Sequence, residues 1–525
     1  MPLGTERPHL DPGRTAILLI ALSAIPITTI AQTHHTDDPV IHRMWRVGME
    51  NSRTEELAQV LMDSIGPRLA GSPELAAAQD WLLRTYESWG IPARKERYGT
   101  WRGWRQGALH VDMVTPRIQT LEAELLAWSP GTDGMVGGEV VLPPAGLTTA
   151  ELASWLGELR GKYVLAAAAE PMCRAPHELE TYARPQTVDR IDSLRRAMRI
   201  EFAERVRPFG SHSAALLAFE RAGAAGVLMS RWSEGWGVNK VFRAPTDHIP
   251  AIDLSCEDFG MLYRMAARGQ RPHIRILAEA EELGQVPQFN VIAELRGEKL
   301  PDEYVVLSAH LDSWHAATGA TDNGTGTITM LEAMRILKEA YPNPRRTIIA
   351  GHWGAEEMGL IGSRSFTEDH PEVLEGLQAA FNQDNGTWRI ERIEGQGFLY
   401  AGQHIARWIS LVPSEISDHV TLELPGAQNN RGSDHVSFLC HGVPAFRLQS
   451  NYDEYRRYTW HTNRDTYDKI VFDDLKENAT LAAMLAYAAS EDPARVPRDR
   501  AMLPIDPRTG EPREWVTCRP ARRSY

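Results

Sequence analysis

The sequence predicts an α/β protein: a mostly parallel, mixed central sheet flanked by helices, with a β-rich segment inserted into it. Three observations carry this expectation. From residue 289 onward, apolar strand-like runs alternate with helices of about 12 residues, the pattern of a sheet covered on both faces. Between 122 and 284 the texture changes to short apolar strands separated by one or two helices: GEVVL (138–142), GKYVLAA (161–167), AAGVLMS (224–230) and HIRIL (273–277). The composition, 43% apolar and 24% charged over 525 residues, is that of a globular chain and excludes collagen-like, coiled-coil and largely disordered classes.

Taken in order, the chain opens with an apolar run from Thr15 to Ile30, broken by Ser23, Pro26 and Thr28-Thr29. It is shorter than the ~20 residues of a bilayer span. Followed by the small-x-small site Thr29-Ile30-Ala31, it makes 1–31 a signal peptide removed on export, with an uncleaved anchor as the alternative. Residues 52–90 read as two helices. Leu57, Val60, Leu61 and Ile65 recur at helical spacing, Gly66-Pro67 and Gly71-Ser72-Pro73 interrupt, and Ala77, Trp81, Leu82 and Trp89 resume up to Gly90. The charged stretch 174–207 reads as a solvated helix. In the second half, 290–295 (NVIAEL), 304–309 (YVVLSA) and 347–353 (TIIAGHW) are strands of the buried kind. Ile328, Leu331, Met334 and Leu337 mark a helix over 326–337, and another helix starts from Gly359. The tail, 491–525, holds six Pro and eight Arg and reads as extended chain over the surface.

The net charge of -13, from 56 basic and 69 acidic residues, argues against a nucleic-acid partner. After the first run no stretch has 18 consecutive apolar residues, so no stable membrane association is expected once the signal is cleaved. Four cysteines exclude a disulfide-built scaffold. Export permits individual bonds, Cys173 with Cys256 being the expected pair, while Cys440 in SFLCHG reads as a buried thiol.

The chemistry sits where the strands end. Strand 304–309 runs into His310-Leu311-Asp312, and Asp322 opens the next helix. Strand 347–353 leads to Glu356-Glu357, strand 378–383 to Asp384, and His461 follows later. Singly, each has a bland reading: a core histidine, a helix cap, a solvated acidic pair, a turn. Together, carboxylates and imidazoles converging at one sheet edge would repel unless cations neutralise them. Two divalent metals sharing a carboxylate, with one of the adjacent glutamates left as a base, would make a hydrolase. The P-loop pattern, HExxH and GxSxG are all absent from the sequence. Ser433-Asp434-His435 cannot be a nucleophilic triad, since three consecutive residues do not converge.

Seven segments together resemble the dinuclear zinc exopeptidases that include bacterial leucyl aminopeptidases and carboxypeptidase Q, nearest in texture to the carboxypeptidase Q branch. They are IGPRLAGSP (65–73), SAHLDSW (308–314), GATDNGTG (319–326), WGAEEMGLIGS (353–363), NQDNG (382–386), GSDHVSF (432–438) and WHTNRDTYD (460–468). The resemblance implies the zinc exopeptidase fold and two zinc ions per chain. It places His310 and Asp384 on one zinc and Glu357 and His461 on the other, with Asp322 bridging and Glu356 as general base. It further implies that Asp312 orients the His310 ring and that the Asp322-Asn323 peptide is unusual. Asp434 and His435 are expected on the substrate-facing wall, and Tyr455 or Tyr458 as donors to the oxyanion. His315 and His352 stay outside the metal shell. The sequons at Asn323, Asn385 and Asn478 are read as accidental.

Segment 122–284 resembles a protease-associated domain. The expected organisation is therefore a signal peptide (1–31), a first peptidase part (40–121), the insert (122–284), a second peptidase part with the metal site (285–490) and the tail (491–525). The expected activity is that of a secreted or periplasmic exopeptidase acting on short peptides or dipeptides, and a homodimer is consistent with the resemblance. Aminopeptidase against carboxypeptidase or dipeptidase specificity stays open. An inactive receptor-like relative is disfavoured by the intact ligand set.

Overall fold

The computed structural model describes residues 37–525 apart from 386 and 429–431, so the expected signal segment lies outside the described residues. Thirteen strands matter here. In chain order they are β1 (Ala93–Thr115), β2 (Ala123–Leu125), β3 (Val136–Val141), β4 (Tyr163–Leu165), β5 (Gly226–Met229), β6 (Ala251–Leu254) and β7 (His273–Leu295). Then follow β8 (Leu300–His310), β9 (Arg346–Trp353), β10 (Leu377–Asn382), β11 (Arg392–Glu394), β12 (Thr421–Glu423) and β13 (Ala445–Gln449). They hydrogen-bond in the order β12-β11-β13-β10-β8-β9-β7-β3-β4-β5-β6-β2, with β1 alongside β7. The centre is parallel, as β13, β10, β8 and β9 run the same way. β7 pairs antiparallel to β9 and makes the sheet mixed.

Parallel strands need covering on both faces. That explains why β9 and β10 are buried along their whole lengths and why the helices Thr325–Ala340 and Phe472–Glu491 are almost wholly buried. The apolar side chains of these elements join those of the helix Pro73–Ser88 in one core. That helix starts as its sequence demands, with the Ser72 side chain accepting from Leu75 N and a proline in the first turn.

β1 and β7 form a long antiparallel ribbon, paired from Ala93↔Ala293 at the sheet to Thr115↔His273 at the insert with four shifts of register between them. The expected boundary at 284/285 falls inside this ribbon, beside Gly284 at φ +71°. Within 122–284 the short strands are present, but five α-helices accompany them where one or two were expected. The charged stretch, read as a solvated helix, is helical as Pro176–Tyr182 and Pro185–Val206, and the latter buries only Ile191 and Arg195.

Two disulfides are formed. Cys173 pairs with Cys256, as expected. Cys440 is not a free thiol; it is bonded to Cys518 in the tail. Among the described residues, no helix is long and apolar enough to cross a membrane.

Candidate active site

The C-terminal ends of parallel strands share one edge of a sheet, and side chains just beyond them meet there. β8 ends on His310; β9 ends on Trp353, three residues before Glu356; β10 ends two residues before Asp384. Ala355, at φ +54°, turns the chain so that Glu356 and Glu357 leave the strand toward this edge.

Two groups of potential ligands result, His310 with Glu356 and Asp384, and Asp322 with Glu357 and His461. His310 Nε2 lies 3.1 Å from Asp384 Oδ1, 3.4 Å from Asp322 Oδ1 and 3.9 Å from Glu356 Oε2. His461 Nε2 lies 3.0 Å from Glu357 Oε2 and 3.3 Å from Asp322 Oδ2. Asp322 thus stands between the two histidines, one oxygen toward each. Its peptide bond to Asn323 is cis. All six side chains named from the sequence are brought together.

Burial sets the electrostatics. It pushes the Glu357 carboxyl up to about 7 against the pull of His461. It also drives Glu356 well above the carboxylate range, against the pull of His310. Burial lowers the His461 ring, but Glu357 and Asp322 together raise it to about 10, and His310 is raised by Asp384 and Glu356 despite burial. Glu357 Oε1 is buried with no hydrogen-bond partner. A crowd of buried carboxylates and imidazoles, one of them with an orphaned oxygen, fits divalent cations, and mixed N/O donors suit zinc.

A second layer of residues holds this arrangement. The role given to Asp312 needs correction. His310 Nδ1 is 3.0 Å from the Asp312 backbone carbonyl oxygen, which it can bond as donor, whereas the Asp312 carboxylate is 3.7 Å from the ring. That carboxylate instead accepts from the backbone N–H of Glu356 at 2.9 Å and of Glu357 at 3.3 Å. The strand-end turn places those amides nearer than the ring.

Asp465 accepts from Thr321 N and Asp322 N, at 2.7 and 3.0 Å. Arg68, fully buried, donates to the carbonyls of Gly66, Leu311, Thr318 and Gly319 and so binds the loop between His310 and Asp322. Trp314 Nε1 donates to Glu357 Oε2 at 2.9 Å. Arg68, Trp314 and Asp465 all lie inside the motifs quoted above, but nothing local marked them as supports.

The inserted segment reaches the site as well. Val241 N donates to His461 O at 2.7 Å, Asn239 N to Asn463 Oδ1 at 3.0 Å, and the Phe242 ring stands edge-on to the His461 ring at 5.1 Å. His461 itself has φ +58°, a conformation that needs such support.

The ligand groups open into a cleft of about 970 Å³. Tyr455 lines it, and burial together with Asp322 holds its hydroxyl well above the usual phenol range, so it stays protonated. Tyr458 does not line it and lies beside Gly235 instead. Asp434 and His435 are fully buried behind the wall that Gly432, Val436 and Ser437 form, so they do not face substrate. A short helix, His435–Leu439, turns them inward.

His315 and His352 lie outside both ligand groups. His315 Nε2 is 2.6 Å from Leu125 O and His352 Nε2 2.7 Å from Tyr86 Oη, and burial pushes their rings down to about 4 and about 3. Asn323, Asn385 and Asn478 are buried, unsuited to carrying glycans. The tail was expected only to cover the surface, yet Trp515 and Arg519 form part of the cleft wall beside the Cys440–Cys518 bond.

Residues 290–486 match the family model described as Peptidase family M28. Carboxypeptidase Q of Rattus norvegicus is 26% identical over 463 residues, spanning 86% of this chain and 88% of the relative. The solved structure of a peptidase M28 precursor from Shewanella amazonensis aligns with a TM-score of 0.62 at 24% identity, over 87% of this chain and 97% of its own. That of a zinc aminopeptidase from Bacillus subtilis aligns with a TM-score of 0.52 at 18% identity, over 85% and 96%. The likeness read from the motifs therefore holds along most of the chain, and the fold is the one these peptidases share.

Proposed function

We propose that this protein is a dinuclear zinc exopeptidase that hydrolyses the terminal bond of short peptides. The observation that carries the reading is the pair of adjacent ligand groups in an open cleft, with Asp322 turning one oxygen toward His310 of the first and the other toward His461 of the second. His310 and Asp384 would hold one zinc, Glu357 and His461 the other, and Asp322 both. Zinc at these positions supplies Lewis acidity and water activated near neutral pH.

The protein side chains do the rest. Glu356, against the first group, takes the proton of the attacking water and passes it to the leaving amine. Tyr455, protonated and facing the cleft, donates to the oxyanion of the tetrahedral intermediate. Asp312 and Asp465 fix the backbones that carry the glutamates and Asp322. The segment 122–284, read as a protease-associated domain, supports the His461 loop. The two disulfides, with the apolar run at the start of the sequence, support a protein exported to an oxidising compartment.

The test combines zinc analysis with kinetics. We expect about two zinc ions per chain. Glu356→Gln should lower kcat by at least ~100-fold while retaining metal, in line with general-base contributions. A folded wild type that binds no zinc, or a Glu356→Gln enzyme as fast as wild type, would refute the mechanism.

A further inference from the structure

The cleft contains a buried cation with no anion of its own. Arg447 on β13 is only 4% exposed and lines the cleft. Its Nη2 donates to Tyr452 Oη at 2.5 Å, and its guanidinium carbon lies 6.0 Å from the Tyr452 ring centre. Among the described residues no carboxylate forms an ion pair with it, and Nε and Nη1 have no hydrogen-bond partner in the protein. Burying a guanidinium unpaired is costly, so such a group is normally completed by an anion. The nearby acidic ligand Asp384 is already engaged with His310 at 3.1 Å.

A second unfilled donor lies beside it. Gln449 is two residues along the same strand, and side chains at i and i+2 share a face. Its Oε1 accepts from Arg392 Nη2 at 3.3 Å, which fixes the amide and leaves Nε2 buried with no partner. Gln449 is 3% exposed and also lines the cleft. Arg456, stacked 5.4 Å from the Tyr452 ring, adds positive charge at the same end. This end adjoins the metal groups: Arg447 is in register with Asn382, two residues before Asp384.

We propose that Arg447 and Gln449 receive the free C-terminal carboxylate of the peptide substrate, making this enzyme a carboxypeptidase or dipeptidase rather than an aminopeptidase. The proposal rests on the exopeptidase reading and specifies its substrate. The planar guanidinium fork matches a carboxylate, and the Gln449 amide supplies a further donor to an oxygen of that group. A C-terminal amide would set its own N–H groups against these donors and leave them unpaired, so it is rejected.

The experiment uses zinc-loaded full-length enzyme and one short peptide in three forms: free, C-amidated and N-acetylated. Wild type should cleave the free acid at least 100-fold faster in kcat/KM than the amide and tolerate N-acetylation better than amidation. In Arg447→Met the acid-to-amide ratio should fall to near one, with the loss on the acid appearing mainly in KM. Arg447→Lys, which keeps the charge but not the fork, should restore the ratio in part, and Gln449→Met should lower it about 10-fold with zinc content unchanged. Equal wild-type rates on acid and amide would overturn the proposal, as would a ratio that survives Arg447→Met. A ratio that collapses instead in Arg364→Met, a further arginine lining the cleft, would move the receptor there and equally overturn it. Failure of the zinc exopeptidase reading is distinguishable, because wild type would then cleave none of the three peptides.

Discussion

Replacing Asp312 by Asn tests whether the glutamate pair is held in place from behind. The wild-type carboxylate accepts two backbone bonds, from Glu356 N at 2.9 Å and Glu357 N at 3.3 Å. The amide has one acceptor oxygen, and its NH2 faces an N–H, so one bond is lost and the other loses its charge. Hydrogen bonds to charged groups are worth about 1.5–3 kcal/mol and neutral ones about 0.5–1.5 kcal/mol. Losing one charged bond and the charge of the other removes about 2.5–4.5 kcal/mol, equivalent to roughly 60- to 1,600-fold at about 1.4 kcal/mol per tenfold.

It should appear as weaker zinc binding, measured by competition with a chromophoric chelator, and as a comparable fall in kcat/KM. Outer supports of metal sites typically contribute about 10- to 100-fold, which meets the lower end of that range, so a loss of about 100-fold is expected. The His310 contact to the Asp312 backbone carbonyl is untouched by the change, so the loss is carried by the glutamates. Zinc affinity and kcat/KM both within twofold of wild type would refute the reasoning.

Two further outcomes follow from other parts of the molecule. Cys440→Ser/Cys518→Ser opens a loop whose ends are 78 residues apart, for which chain entropy sets a stabilisation of about 4.5 kcal/mol. Its thermal midpoint should drop and its KM rise as Trp515 and Arg519 leave the wall, whereas Cys173→Ser/Cys256→Ser should leave KM unchanged; equal KM in both pairs would contradict the wall role. His352 is pushed down to about 3 by burial, against about 6.5 unfolded, so the fold favours its neutral form. Its contribution to stability is present above pH ~6.5 and is lost as pH falls toward 3, at up to about 1.4 kcal/mol per pH unit. Denaturant unfolding of His352→Gln, which can still bond Tyr86, should show a shallower decline between pH 6.5 and 5 than wild type, and parallel declines would exclude this titration.

The parts of the site that were legible are those carried by local order. His310, Asp322, Glu356-Glu357 and Asp384 follow strands or precede helices, and parallel strands bring such positions to one edge whatever the details of packing. What could not be read depends on contacts between distant segments. Asp312 was recognised as a support, but only the turn at Ala355 decides that its carboxylate meets two amides rather than the His310 ring. Arg447 and Gln449 look like ordinary residues of a buried strand; the cleft beside them distinguishes them. Asp434 and His435 were displaced from the wall by a turn of helix, and Tyr458, three residues after Tyr455 in the wide π-helical turn Tyr455–Thr459, falls on another face of it. The solvated helix of the inserted segment was legible from its run of charge, although it buries only Ile191 and Arg195 and so has almost no apolar period.

The bond between Cys440 and Cys518 also gives the enzyme an order of completion. Every proposed zinc ligand, and Glu356, is translated before the segment that carries Trp515 and Arg519. That segment is secured only when two thiols are oxidised, which reducing cytoplasm opposes. A newly made chain could thus assemble its ligand set while its cleft still lacks a fixed wall. With the export proposed above, intracellular peptides would be spared until the tail is bonded in an oxidising compartment.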